Sequence, residues 1–101
     1  MTIARMWESR LAPGAAEELA AHLVGIAWPA LTAAPGFQGG EAYRSSGDEE
    51  RAVVVTRWAD EASAAGGAEV ERGLARFCAG EPHAWQFEQL EIGPAEEVPR
   101  H

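Results

Sequence analysis

Arg5, Trp7, His22, Tyr43 and Trp58 carry the side chains best suited to chemistry on a small organic molecule. Trp58 falls on the same alternation as Val54 and Thr56, and Trp7 on that of Ile3 and Leu11, so each indole shares a strand face with apolar neighbours. Flat indole walls suit a planar polycyclic ligand, and an indole N–H orients a carbonyl or phenolate oxygen. Tryptophans that simply fill a core have the same pattern. Arg5 shares the parity of Trp7, so its guanidinium requires either a carboxylate partner or an anionic ligand. Glu71, bordering an apolar helical stripe, is the carboxylate on offer. Without that pairing, Arg5 is the residue to stabilise an anionic ligand such as an enolate or phenolate. His22 sits at the margin of a helical stripe with Glu18 one turn earlier. That is the placement of a general base with an orienting carboxylate, or of a solvated surface histidine. Tyr43, the only tyrosine, shares strand parity with Phe37, Gly39 and Glu41, where its hydroxyl can donate to a ligand oxygen or its ring can pack at a sheet edge.

Other chemistries find no residues. His83 and His101 make no metal-ligand spacing with His22 or Cys78, and a single cysteine excludes an intrachain disulfide and any multi-cysteine metal site. Cys78 ends an apolar stripe, the place of a small buried hydrophobe. Glycine-rich phosphate loops, nucleophile elbows and flavin or nicotinamide motifs are missing from the sequence. No cofactor and no metal is therefore expected. An oxygenation here would draw its electrons from the substrate itself.

The elements that must position these residues follow from periodicity. Residues 2 to 11 alternate as a strand and stop at Pro13-Gly14. Glu17 and Glu18 then suit a first helical turn, and the stripe Ala16, Leu19, Ala20, Leu23, Ile26, Ala27 and Ala30 predicts a helix that Pro29 ends or kinks. Phe37 to Ser45 is a second strand, with Gly39-Gly40 predicting a bulge or a close backbone approach. Ser46 to Glu49 is a hairpin turn, and Arg51 to Ala59 is the clearest strand, its three consecutive valines putting apolar groups on both faces. Asp60 is a helix N-cap; the second helix is interrupted at Gly66-Gly67, resumes with Val70, Leu74, Phe77 and Cys78, and ends at Gly80 and Pro82. His83 to Ile92 is a fourth strand.

The fold class is thus α+β, a ferredoxin-like βαββαβ arrangement with a four-stranded antiparallel sheet and two helices on one face. The valines, with Trp85 and Phe87 two apart on the last strand, require cover on the other face too, and a chain of 101 residues has only a second copy to supply it. A homodimer is therefore expected. Length and composition, 47% hydrophobic and 24% charged, fit one domain over residues 1–93, with 94–101 as a solvated tail. A net charge of −8, with eight arginines and no lysine, argues against a nucleic-acid partner. The longest nearly apolar stretch, Leu23 to Ala34, contains a proline and falls short of the roughly 20 residues of a membrane span. With no secretory signal visible at the N-terminus, the expected location is the cytoplasm and no membrane partner is expected.

Three segments, Ala4-Arg5-Met6-Trp7-Glu8-Ser9-Arg10, Ala34-Pro35-Gly36-Phe37-Gln38-Gly39 and Thr56-Arg57-Trp58-Ala59-Asp60, together with the element order, resemble the antibiotic biosynthesis monooxygenase family over residues 2 to 92. The resemblance implies a dimeric α+β barrel with a pocket between sheet and helices. It also implies a cofactor-independent oxygenase, or a related small-molecule enzyme, for an aromatic or quinone-like compound. Trp58 matches a tryptophan near the end of the third strand in the oxygenase and haem-degrading branches. Those branches also carry an asparagine on the first strand, which nothing here can match because the sequence has no asparagine; Trp7 or Ser9 occupies that neighbourhood. The histidine that ligates haem iron on the second helix has no counterpart between Trp58 and Pro82. The family-like site would use Trp58, Arg5 and His22 for chemistry and Trp7, Tyr43 and Ser9 for binding, and the alternative is a non-catalytic ligand-binding or structural homodimer.

Overall fold

The computed structural model describes residues 1–45 and 47–92, so the expected tail over 94–101 lies outside the described residues, as does Ser46 of the hairpin turn. The chain runs β1 (Ile3–Arg10), α1 (Ala15–His22), a π-helical turn (Leu23–Ala27), α2 (Trp28–Ala33), β2 (Phe37–Arg44), β3 (Arg51–Trp58), α3 (Glu61–Arg72), a 3-10 turn (Ala75–Phe77) and β4 (His83–Glu88). The strands form one antiparallel sheet in the order β2-β3-β1-β4, the ferredoxin-like arrangement expected from the sequence. In the central pair, Trp7 lies opposite Val54 and Ile3 opposite Trp58, so the buried residues of β1 and β3 share one face. On that face Trp7, Val54 and Leu74 belong to one core cluster, and Ile3, Leu31, Trp58 and Ala64 to a second. Among the described residues, no helix is long and apolar enough to cross a membrane.

The first helical run departs from the expected stripe. Leu19, Ala27 and Leu31 are buried, whereas Ala20, Ile26 and Ala30 face outward. The i→i+5 bonding of the π turn admits one extra residue, so of the two stripe positions Ile26 and Ala27 only Ala27 stays inward. Nor does Pro29 end the helix. The change of register comes just before it and places it in the first turn of α2, where its missing N–H costs little.

Gly66-Gly67 does not interrupt the second helix either; both residues lie within α3. Glycine is required there because a Cβ on Gly66 would stand 3.1 Å from Trp58 Cη2, and one on Gly67 2.9 Å from Arg5 Cδ and 3.0 Å from Trp58 Nε1. The glycines let the helix rest directly on the Trp58 indole. Asp60 caps α3 as expected: its carboxylate accepts the Ser63 N–H at 2.8 Å, and its own N–H donates to Ser63 Oγ. The Ser63 N–H holds the Asp60 carboxyl below its ordinary pKa.

The bulge expected in β2 lies between Phe37 and Gly39, and a Cβ on Gly40 would overlap the Val55 carbonyl oxygen. The bulge inverts the parity of the strand. Phe37 pairs with Trp58 on the helical side, while Glu41 and Tyr43 pair with Val55 and Val53 on the opposite face. Tyr43 therefore does not share the side of Phe37. That opposite face gathers Met6, Tyr43, Val53, Val55, Trp85 and Phe87, with Trp85 44% and Phe87 52% exposed. Ion pairs flank it, Arg57 with Glu41 at 3.0 and 2.6 Å and Arg51 with Glu8 at 2.7 Å. β4 ends at Glu88 rather than Ile92; its continuation is fixed once more, where the Gln89 N–H donates to the Thr2 carbonyl at 2.8 Å.

Candidate functional site

Strand alternation aims Arg5 and Trp58 at the helical layer, and both are committed there to protein partners. Arg5 donates from Nε and Nη2 to the two carboxylate oxygens of Glu71, at 2.9 and 2.7 Å, and from Nη1 to Gln86 Oε1 at 2.8 Å. Hydrogen bonding to Glu71 raises the guanidinium pKa above its ordinary value, outweighing the opposing effect of burial. Of the two readings open for Arg5, the structure has the ion pair. Trp58 is fully buried, and its Nε1–H donates to Thr56 Oγ1 at 2.8 Å. The Phe37 ring meets it edge-on at 5.2 Å, and Trp28 meets Phe37 edge-on at 5.5 Å, making an aromatic ladder from α2 to β3. With α3 against its other side, Trp58 has no empty space beside it large enough for a ring.

The remaining sequence candidates lie apart. Trp7 and Ser9 are buried in and beside the first core cluster, and Ser9 Oγ donates to the Arg10 carbonyl at 2.9 Å. Tyr43 alternates to the opposite sheet face, although its stretch of β2 also borders an apolar slot beneath the first helical run. His22 ends α1 on the outer side of the helical layer, with Nδ1 3.0 Å from Arg76 Nη2. Since arginine only donates, His22 Nδ1 accepts and the imidazole proton sits on Nε2. Burial, then the neighbouring Arg76 charge, lowers the His22 pKa from its ordinary value. The structure thus brings Arg5 and Trp58 together across Gly67, and leaves His22, Tyr43 and the pair Trp7 and Ser9 in three other places.

An apolar slot opens between the first helical run and the β2–β3 side of the sheet. It has a volume of about 160 Å³ and is lined by Leu11, Ala16, Leu19, Leu23, Ala42 and Ala52, with Glu17 and Arg44 joined at 3.1 Å on its rim. Leu23 and Ala42 also line a narrower space of about 50 Å³, bounded by Ala27, Trp28, Leu31 and Thr56. Alanines create the room, and the π turn, which places both Leu23 and Ala27 toward the sheet, sets its length. That narrower space, adjoining the slot at Leu23 and Ala42, reaches Trp28 and Thr56, the one a rung of the aromatic ladder and the other the acceptor of the Trp58 indole. The slot is smaller than the roughly 300–1,000 Å³ of pre-formed ligand sites, so a ring system fills it only if the π turn yields. Glu41, at the narrow end, is held by Arg57 and is not a free base. Among the described residues, no group of three His, Cys, Asp or Glu side chains is placed to hold a metal ion.

Sequence reasoning missed Trp28, Leu23, Ala42 and Arg76. An α-helical period alone does not separate Leu23 and Ala27 from Ile26, and only the Trp28-Pro29 pair hints at a change of register there.

The model of the antibiotic biosynthesis monooxygenase family matches residues 2–66. No curated protein matches the chain. Solved structures share the fold. The Rv0793 protein of Mycobacterium tuberculosis is 15% identical, with a TM-score of 0.71 over 93% of this chain and 100% of its own. A monooxygenase of Streptomyces coelicolor, solved in complex with nanaomycin D, is 18% identical, with a TM-score of 0.69 over 92% of each chain. A Nitrosomonas europaea protein of unknown function is 21% identical, with a TM-score of 0.67 over 99% of this chain and 96% of its own.

Proposed function

The chain belongs to the antibiotic biosynthesis monooxygenase family, and we propose that it is a homodimeric, cofactor-independent monooxygenase for an aromatic or quinone-like compound held in the slot beneath the π turn. The observation that carries this reading is the slot itself, apolar on both walls and adjoined at Leu23 and Ala42 by a narrower space that reaches Trp28 and Thr56. A planar ring slides between Leu23 and Ala42 and meets the edge of the aromatic ladder. Trp58 acts behind that wall through Thr56, and Arg5 with Glu71 fixes the strand and helix that hold Trp58. The Streptomyces coelicolor monooxygenase of the same fold, solved with nanaomycin D bound, supports a small organic ligand.

Such a reaction balances without an added reductant: a ring methylene and one dioxygen give a ring carbonyl and one water, the substrate supplying the electrons. Because the slot offers no free base, the substrate is one that ionises readily, and the protein contributes orientation and exclusion of water. The homodimer is supported by the apolar face of Met6, Val53, Val55, Trp85 and Phe87 with ion pairs at its flanks, the anatomy of an interface core and rim. In the same reading the protein works in the cytoplasm.

The alternative, a dimer that binds a ligand without turning it over, is favoured by one specific observation, the full commitment of Arg5 to Glu71 and Gln86. Tryptophan fluorescence titrated with anthrones, hydroxylated naphthalenes and quinones, with oxygen uptake followed in parallel, separates the two. Saturable quenching that weakens in Trp28→Phe, with uptake, is the expected result for the enzyme. Quenching without uptake selects the binding dimer, and the absence of quenching by every compound removes the slot as a ligand site.

A further inference from the structure

Seven of the eight arginines lie among the described residues, and six of them, Arg5, Arg10, Arg44, Arg51, Arg57 and Arg72, have a carboxylate oxygen within 4.0 Å. Arg76 is the exception, in a chain whose acids outnumber its bases two to one. The 3-10 turn presents its guanidinium over the ring of Phe77, 4.8 Å from the centroid, and His22 Nδ1 takes one of its five N–H groups. The His22 ring leans on the same phenylalanine at 5.3 Å. Phe77 is buried in the core, so this stack is anchored rather than free to follow solvent. Around it Glu18, Ala21 and Ile26 complete an open groove of about 580 Å³, on the helical surface away from the sheet.

We infer that this groove is a second binding site, for a small aromatic carboxylate, with Arg76 as its anion receptor. A planar guanidinium held over a ring and fixed by one bond to His22 keeps its remaining donors available for both oxygens of one carboxylate. Ala21 and Ile26, both exposed, offer an apolar floor for the attached ring. Glu18 is the one carboxylate lining the groove; it is not paired with Arg76, and its charge weakens an incoming anion. His22, as a neutral acceptor, steers the guanidinium without competing for the ligand. The site shares no lining residue with the slot and stands or falls independently of the proposed oxygenase activity.

The test is an NMR titration of the His22 ring signals in the full-length protein with benzoate, and with benzamide as the neutral isostere. Benzoate is expected to shift them saturably at millimolar concentration, and to raise the His22 pKa, since an anion on Arg76 offsets the positive field that His22 experiences. Arg76→Gln is expected to weaken binding about fivefold or more, the upper range for a partly exposed but bidentate pair. Glu18→Gln, a surface change that leaves Arg76 and its stack intact, is expected to tighten it about two- to threefold. Equal shifts with benzamide, no shift at tens of millimolar benzoate, or unchanged affinity in Glu18→Gln would each overturn the assignment. The Trp28 emission reports the slot instead, so benzoate that quenches Trp28 while leaving His22 unmoved also refutes the groove, without bearing on the oxygenase reading.

Discussion

Replacing Glu71 with Gln removes the charge opposite Arg5 while keeping the shape of the side chain, and the structure sets the size of the effect. The two side chains are 15% and 10% exposed, and both oxygens of Glu71 are engaged at 2.9 and 2.7 Å. Breaking a fully buried ion pair costs about 3–5 kcal/mol, and an exposed one contributes about 0–1 kcal/mol. Residual solvent, together with the Gln86 acceptor at 2.8 Å, puts this pair between those limits, at about 2 kcal/mol. In a chain of this length that lowers the melting temperature by roughly 8–16 °C. The double variant Arg5→Met with Glu71→Leu removes both charges and fills their volume, so it is expected within about 1 kcal/mol of wild type. Urea unfolding of wild type, Glu71→Gln and the double variant, at one fixed protomer concentration because the stability of the proposed dimer would depend on it, compares the three directly. A Glu71→Gln variant within about 0.5 kcal/mol of wild type, or a double variant as damaged as the single one, would refute the assignment of Arg5 to structure and return it to the candidates for chemistry.

Trp85→Glu places a charge on the uncovered sheet face, on edge strand β4 opposite Met6, and is expected to turn the proposed dimer into a 10.8 kDa monomer in sedimentation, whereas an unchanged sedimentation profile would remove that face as the interface. Gly40→Ala drives a methyl into the Val55 carbonyl and is expected to cost about 3 kcal/mol by denaturant unfolding, with a loss below about 1 kcal/mol contradicting the close strand approach. The Asp60 carboxyl has a lowered pKa in the folded state, so its contribution to stability is complete above the ordinary carboxylate range and disappears as the pH falls through the lowered value. Asp60→Asn is therefore expected to lower the melting temperature at neutral pH and to lose less of its stability on acidification than wild type. Parallel acid profiles for the two proteins would contradict the cap.

The sheet was legible because alternation is a strong pattern wherever one face is buried. Ile3, Trp7 and Ser9 on β1, and Ala52, Val54, Thr56 and Trp58 on β3, are inward as their spacing requires. Legibility failed where the backbone changes period. The π turn carried Ile26 out while Ala27 stayed in, and the bulge after Phe37 moved Tyr43 to the far face, because one extra residue shifts everything downstream. Gly66-Gly67 reads locally as a helix breaker, and only the Trp58 ring beneath explains why glycine belongs inside α3. The Arg5–Glu71 pair was visible as one of two readings, since parity and stripe place both residues but cannot say whether they meet. The slot was invisible for a different reason: it is made of alanines, and a small side chain that leaves space looks the same in sequence as one that is tightly packed.

The most direct test of the proposed oxygenase is stoichiometric oxygen uptake by wild type and by Ala42→Phe, using whichever anthrone or naphthol quenches Trp28. Ala42 lines both the slot and its narrow end, and phenylalanine there occupies the volume that the substrate needs while leaving His22, Arg76 and the Arg5–Glu71 pair untouched. One oxygen consumed per substrate by wild type, and uptake reduced to the uncatalysed rate in a folded Ala42→Phe variant, is the predicted result. Equal uptake by the two proteins would place the chemistry outside the slot, and no uptake above the uncatalysed rate in wild type would contradict the oxygenase reading.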